Sequence, residues 1–280
     1  MMFRDFAQVD VFTDVPLLGN PVAVVLDGDG LTTEQMQRFA DWTNLSEATF
    51  VIPPTRGGAD YSVRIFTTGQ ELPFAGHPTL GTCHAWLAAG GVPKGKFVVQ
   101  ECAVGLVSIR QDLTSGTLSF QAPERRRTGP LDEGALATIA RGLRVGRADI
   151  VDHQWCDNGP PWQAVMLRNA VDVLAIEPDG GALDGLFVGV VGPHGVNAVA
   201  DFEVRAFFPS PQGMREDPVT GSLNAGIGQW LFGSGRAQEH YVAAQGTRLG
   251  RAGRVSVDSA GDDVWVGGHS VTVLRGTAAF

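Results

Sequence analysis

The sequence predicts an α+β fold made of two similar halves, and three observations predict it. Strand-like stretches dominate the chain and helical ones are few. Thirty-seven glycines in 280 residues fit many tight turns between short strands. A long stretch of the first half also recurs in the second, in the same order and spacing.

The elements follow in chain order. "FAQVDVFTD" (6–14) and "PVAVVLDG" (21–28) read as strands joined by the turn "VPLLGN". A helix is expected at about 31–44, opened by Thr32 and Thr33 as caps, with Glu34 and Gln35 in its first turn. In "SEATFVIPP" (46–54) a strand begins after Glu47 and stops at the prolines, which leaves Ser46 and Glu47 at the joint. Single strands are expected at "YSVRIFTT", "KFVVQECAVGLVSIRQ" and "TLSFQAP". The basic run "ERRRTGP" (124–130) reads as a solvated loop between domains. The helix "LDEGALATIARGL" then opens a second round, with strands "WQAVMLRN", "LFVGVVGP" and "FEVRAFFPS". "RVSVD", "DVWVGGHSV" and "TVLRGTAAF" complete the chain. The domains are expected at 1–120 and 121–269, with the last strand, 270–280, a candidate to return to the first.

Composition narrows the function. A hydrophobic fraction of 44% with 18% charged residues suits a compact globule. The net charge of -9 argues against nucleic acid, which needs a basic face. No apolar run approaches the roughly 20 residues of a membrane span. The opening stretch alternates like a strand and carries early acids, unlike a secretory signal. Cys83, Cys102 and Cys156 have unrelated spacings, fit a reducing cytoplasm, and offer neither a disulfide framework nor a zinc signature.

The repeat pairs "VRIFTTGQELPFAGHPTLGTCHAWL" (63–87) with "VRAFFPSPQGMREDPVTGSLNAGIGQWL" (204–231). Each opens on Val-Arg, reaches an acid (Glu71 or Glu216), and places a glycine five residues later (Gly76 or Gly221) before a small, apolar helix. A glycine turn running into a helix exposes unpaired N–H groups and the positive end of the dipole. Gly76–His77 and Gly221–Ser222 are therefore candidate cradles for a small anion such as a carboxylate. His77 and Asp217 add groups able to bond or move protons there. Two similar domains facing each other across a cleft are the expected arrangement. Glu47, at its joint, is either a solvated charge or a carboxylate placed to move a proton.

The blocks "VDVFTDVPLLGNPVAVV", "NLSEATFV", "FAGHPTLGT", "EDPVTGS" and "QGTRLGRAGRVSV" resemble, in order, the signatures of the PhzF-like family, over nearly the whole chain. The resemblance implies a diaminopimelate-epimerase-like fold: two pseudo-symmetric domains, each a curved, mostly antiparallel sheet wrapped around a central helix. It implies that Glu47 is the general acid/base and that Ser46, Gly76, His77, Asp217, Gly221 and Ser222 bind the substrate. The epimerases of this fold carry a thiol just before each glycine, where this chain has Ala75 and Thr220. An amino-acid racemase is therefore disfavoured. A cofactor-independent isomerase is expected, acting on a small carboxylated, dihydroanthranilate-like substrate; a non-catalytic small-molecule binder is the alternative. The resemblance also suggests a homodimer.

Overall fold

The computed structural model describes residues 2–210 and 213–280. Pro211 and Gln212, inside the second copy of the repeat, and Met1 lie outside the described residues. The chain divides into two compact units, 1–121 with 267–280, and 122–266.

The first unit runs β1 (Phe3–Val11), β2 (Asn20–Val25), α1 (Thr33–Thr43), β3 (Glu47–Ile52), β4 (Tyr61–Phe66), β5 (Glu71–Leu72), α2 (Gly76–Ala88), β6 (Val98–Cys102), β7 (Gly105–Gln111) and β8 (Leu118–Gln121). The second holds α3 (Glu133–Leu143), β9 (Asp152–Trp155), β10 (Gln163–Met166), α4 (Ala170–Ala175), β11 (Val188–Pro193), β12 (Phe202–Ser210), β13 (Gly213–Asp217), α5 (Gly221–Gly233), β14 (His240–Gln245) and β15 (Gly253–Ala260). Then β16 (Asp263–Gly268) crosses the boundary, and β17 (Ser270–Ala279) belongs to the first unit.

The duplication extends to the hydrogen-bond ladders. In the first unit β1 pairs antiparallel with β2, β2 parallel with β3, β3 antiparallel with β4, and β4 parallel with β6, which pairs antiparallel with β7. In the second, β9, β10, β11, β12, β14 and β15 repeat that series step for step. One strand in each unit splits its edge. Tyr61 and Ser62 of β4 pair with β6, while Ile65 and Phe66 pair with β5. Phe202–Val204 of β12 pair with β14, while its far end pairs with β13. The freed chain turns there into the central helix, α2 or α5.

Both central helices are buried nearly all round, as helices without a polar face must be. α2 packs against β1, β2, β3, β6, β8 and β17, so the sheet curls about it. Gly81 of α2 and Gly226 of α5 occupy equivalent turns, where an added Cβ would lie 2.3 Å from Val22 and 2.6 Å from Cys156. Only glycine lets helix and sheet approach so closely. By contrast α1 is amphipathic. It starts with a Thr32–Gln35 capping box, ends on Asn44 in the left-handed conformation, and buries Met36 and Ala40 against Ala23, Val25, Ala48 and Phe50. The β2–β3 pair thus has α1 on one face and α2 on the other, which explains the unbroken apolar runs "VAVV" and "ATFV".

The stretch "KFVVQECAVGLVSIRQ", expected as one strand, is a hairpin of β6 and β7. Its turn closes on the Cys102–Gly105 pair, with Gly105 at φ 118°. The short β5, β9, β13, α4 and β14 have no counterpart in the sequence reading. Glu47 is the first residue of β3 rather than part of a free joint, opposite Val22 of β2.

Candidate active site

Strand periodicity decides where Glu47 points. Glu47, Thr49 and Val51 share one face of β3. The Thr82 hydroxyl of α2 donates to the Thr49 hydroxyl at 2.8 Å, so that face looks at α2. Two residues back along the strand is roughly 6.6 Å, and five residues back along the helix is roughly 7.5 Å. These steps bring Glu47 level with His77 in the first turn of α2. Glu47 Oε2 lies 3.1 Å from His77 Nδ1, with His77 buried and Glu47 mostly so. The two form a close ion-pair contact that is not a hydrogen bond, and Oε2 is buried without a hydrogen-bond partner.

Gly76 opens α2 beside His77, so the first unit gathers Glu47, Gly76 and His77 around one helix start, while Ser46 precedes the strand and is exposed. At Gly76 an added Cβ would lie 2.4 Å from Phe120, which fixes this position as glycine. The N-cap residue, Ala75, has no side chain able to cap the helix.

The second unit builds its loop differently. Asp217 ends β13, and its Oδ2 accepts a 2.5 Å hydrogen bond from Thr220 Oγ1. Buried Gln245 of β14 accepts from Thr220 N at 3.0 Å and from Asn224 Nδ2 at 2.8 Å. Its own amide donates to Thr220 Oγ1 at 3.0 Å and to the Asp217 carbonyl at 3.2 Å. The Thr220 hydroxyl is therefore engaged as both donor and acceptor. Gly221 opens α5 without a side-chain cap. Next to it, Ser222 accepts from Trp162 Nε1 at its Oγ (3.0 Å) and from Asn158 Nδ2 at its carbonyl (2.8 Å).

Sequence reasoning singled out Asp217, Gly221 and Ser222, and the structure brings these three onto one loop. It missed Gln245, Trp162 and Asn158. One signal was available for the first: Gln100 and Gln245 both lie 24 residues beyond their helix-opening glycines. Gln100 plays the matching part, donating to Thr79 Oγ1 of α2 at 3.0 Å. The acids of the repeat also acquire a role. Glu71 receives both forks of Arg64, and Glu216 both forks of Arg205, so the Val-Arg openings and the acids form duplicated ion pairs.

All three cysteines are buried and free. Among the described residues no three His, Cys, Asp or Glu side chains are placed to hold a metal ion, and no helix is long and apolar enough to cross a membrane.

A family model described as phenazine biosynthesis-like protein, PhzC-PhzF, matches residues 9–276. The chain is 36% identical over 297 residues to antisense-enhancing sequence 1 of Schizosaccharomyces pombe, with 99% of each covered. It is 31% identical over 281 residues to trans-2,3-dihydro-3-hydroxyanthranilate isomerase of Pseudomonas fluorescens, covering 98% of this chain and 99% of the other. A solved phenazine biosynthesis protein of the PhzF family from Bacillus anthracis shares the fold with a TM-score of 0.85 over 100% of both chains, at 22% identity. By the extent of the family match and by its relatives, the chain belongs to the PhzC/PhzF phenazine biosynthesis-like family.

Proposed function

We propose that this protein is a PhzF-type isomerase that moves a proton within a small carboxylated substrate, with Glu47 as its single acid/base and no bound cofactor. The observation that carries the reading is the buried Glu47 Oε2, beside His77 at the start of α2 yet free of any hydrogen bond. A carboxylate oxygen so placed has a lone pair available for a proton. Ala75 has no proton-transfer group, and the Thr220 hydroxyl is spent on Asp217 and Gln245, which supports one base rather than two. In this scheme Glu47 takes a proton from one carbon, the double bonds shift, and the same carboxyl returns the proton to another carbon.

The relative named trans-2,3-dihydro-3-hydroxyanthranilate isomerase suggests the substrate class, a carboxylated, partly unsaturated ring bearing amino and hydroxyl groups. Ser46, Gly76, His77, Asp217, Gly221 and Ser222 are proposed as substrate-binding residues. Helix-opening N–H groups and the Ser222 hydroxyl suit a carboxylate, and Asp217 suits an amine or hydroxyl.

The test is Glu47→Gln, which keeps size and removes proton-accepting ability. Turnover, found by screening small acids for exchange in deuterated water, should fall by about 10²–10⁴-fold while binding persists. Wild-type turnover in the variant would overturn the one-base scheme. Binding of a small acid with no deuterium exchange in the wild type would favour a non-catalytic binder.

A further inference from the structure

Ser222 is held by a donor that takes up one lone pair of its hydroxyl. An indole N–H can only donate. In the 3.0 Å bond between Trp162 Nε1 and Ser222 Oγ, the serine oxygen must therefore be the acceptor. One of its two lone pairs is spent, and the O–H remains with no protein acceptor for it among the described residues. Trp162 cannot swing aside. It is buried, meets Phe187 edge to face at 5.3 Å, and accepts from Cys156 N through its carbonyl at 2.9 Å. Asn158, also buried, clamps the Ser222 carbonyl from the other side. Ser222 thereby keeps an O–H to donate, whereas the Asp217 carboxylate accepts, as it does from Thr220.

We propose that Trp162 is a positioning residue that holds Ser222 Oγ in place and occupies one of its lone pairs, so that Ser222 presents its O–H to the carboxylate of the substrate. The proposal rests on the isomerase reading for its substrate, and it goes further by tying recognition of the acid group to Trp162. The uncapped start of α5 adds backbone N–H groups of the same polarity. A ligand with a carboxamide in place of the carboxylate presents a neutral group to those same donors, and its affinity depends less on Ser222. The class selected is an amino acid or hydroxy acid, with the acid on Ser222 and the amine or hydroxyl on Asp217.

Titration calorimetry with anthranilate and anthranilamide reads this directly in wild type, Trp162→Phe, Ser222→Ala and the double variant. Trp162→Phe keeps an apolar ring against Phe187 and removes only the indole donor. It should weaken anthranilate roughly tenfold, the scale of one hydrogen bond to a charged group, and leave anthranilamide nearly unchanged. Ser222→Ala should do the same, and the double variant should be no weaker than Ser222→Ala alone. Equal weakening of acid and amide would mark a packing role and overturn the proposal. Wild-type affinity for the acid in Trp162→Phe would overturn it while leaving the isomerase reading intact, whereas a wild type blind to anthranilate would sink both. Should Trp162→Phe fail to fold, the indole N–H resonance serves instead. It should shift and exchange faster in Ser222→Ala, and an unmoved resonance would end the proposal.

Discussion

Burial pushes the Cys83 and Cys156 thiols up to about 12, and moves Cys102 in the same direction. The thiolate is the reactive species, so none of the three is poised for nucleophilic chemistry. Alkylating agents should leave turnover largely intact in the native protein, whereas stoichiometric loss on labelling one cysteine would reopen a thiol mechanism. The same shifts set the alkaline limit of stability. The folded chain keeps protons on Cys83 and Cys156 that the unfolded chain releases from an ordinary value of 9.0. Above that value the unfolded state binds fewer protons, so stability falls as pH rises, until the folded thiols also ionise near 12. Burial raises Tyr61 and Tyr241 too, which adds to the loss at the upper end. The unfolding free energy from urea titration should be flat from roughly pH 7 to 8 and decline above 9, by up to about 1.4 kcal/mol per pH unit per thiol. Cys156→Ala should reduce that slope, and a slope unchanged by the variant would contradict the assignment.

At the scale of elements, two ion pairs of one design differ in burial. Arg64 grips Glu71 with distances of 2.7 and 2.6 Å, binding β4 to β5 at a half-exposed site. Arg205 grips Glu216 at 2.9 and 2.8 Å between β12 and β13, is almost wholly buried, and also donates to the carbonyls of Val173 and Ile176 near α4. Each guanidinium also sits over a phenylalanine, Phe66 at 5.1 Å and Phe207 at 5.0 Å. Solvent screens the first pair, so Arg64→Met should cost about 1 kcal/mol or less. Arg205→Met strands a buried carboxylate and two carbonyls, and should cost about 3–5 kcal/mol. Urea unfolding of the two variants compares them, and equal losses would show that burial does not set the difference.

At the scale of the molecule, the first unit is completed by the last strand of the chain. β17 pairs antiparallel along all of β1, from Phe3–Ala279 to Val11–Ser270, with one irregularity at Gln8/Val9. Phe280 then reaches Phe39 at 5.1 Å and Phe50 at 6.3 Å between ring centres, joining the cluster beneath α1. A chain shortened to end at His269 should turn β1 into an open edge and expose those rings. Hydrogen exchange should show lost protection throughout β1 and α1, with β9–β13 little changed. Retained protection in β1 would mean that β17 is a passive addition.

Much of this was legible from residues alone. The 3.6-residue and two-residue periodicities gave α1, α3 and most strands, and the repeat of Val-Arg, acid, glycine and apolar helix announced the duplication that the ladders repeat. Those signals are local, because each depends on spacing within one stretch of chain. The hairpin inside "KFVVQECAVGLVSIRQ" was hidden because its turn is a lone Ala-Val before Gly105, without the usual turn residues. For the site, the sequence pointed to Glu47, His77, Asp217 and Ser222, but not to what surrounds each. Whether Glu47 was a solvated charge or a buried carboxylate depended on which face of β3 it shares with Thr49, and on α2 lying over that face. Gln245 repeats the spacing of Gln100, but Trp162 and Asn158 come from 60 and 64 residues away from Ser222. Hydrogen bonds across such separations carry no sequence period, so only the packed chain could assign them.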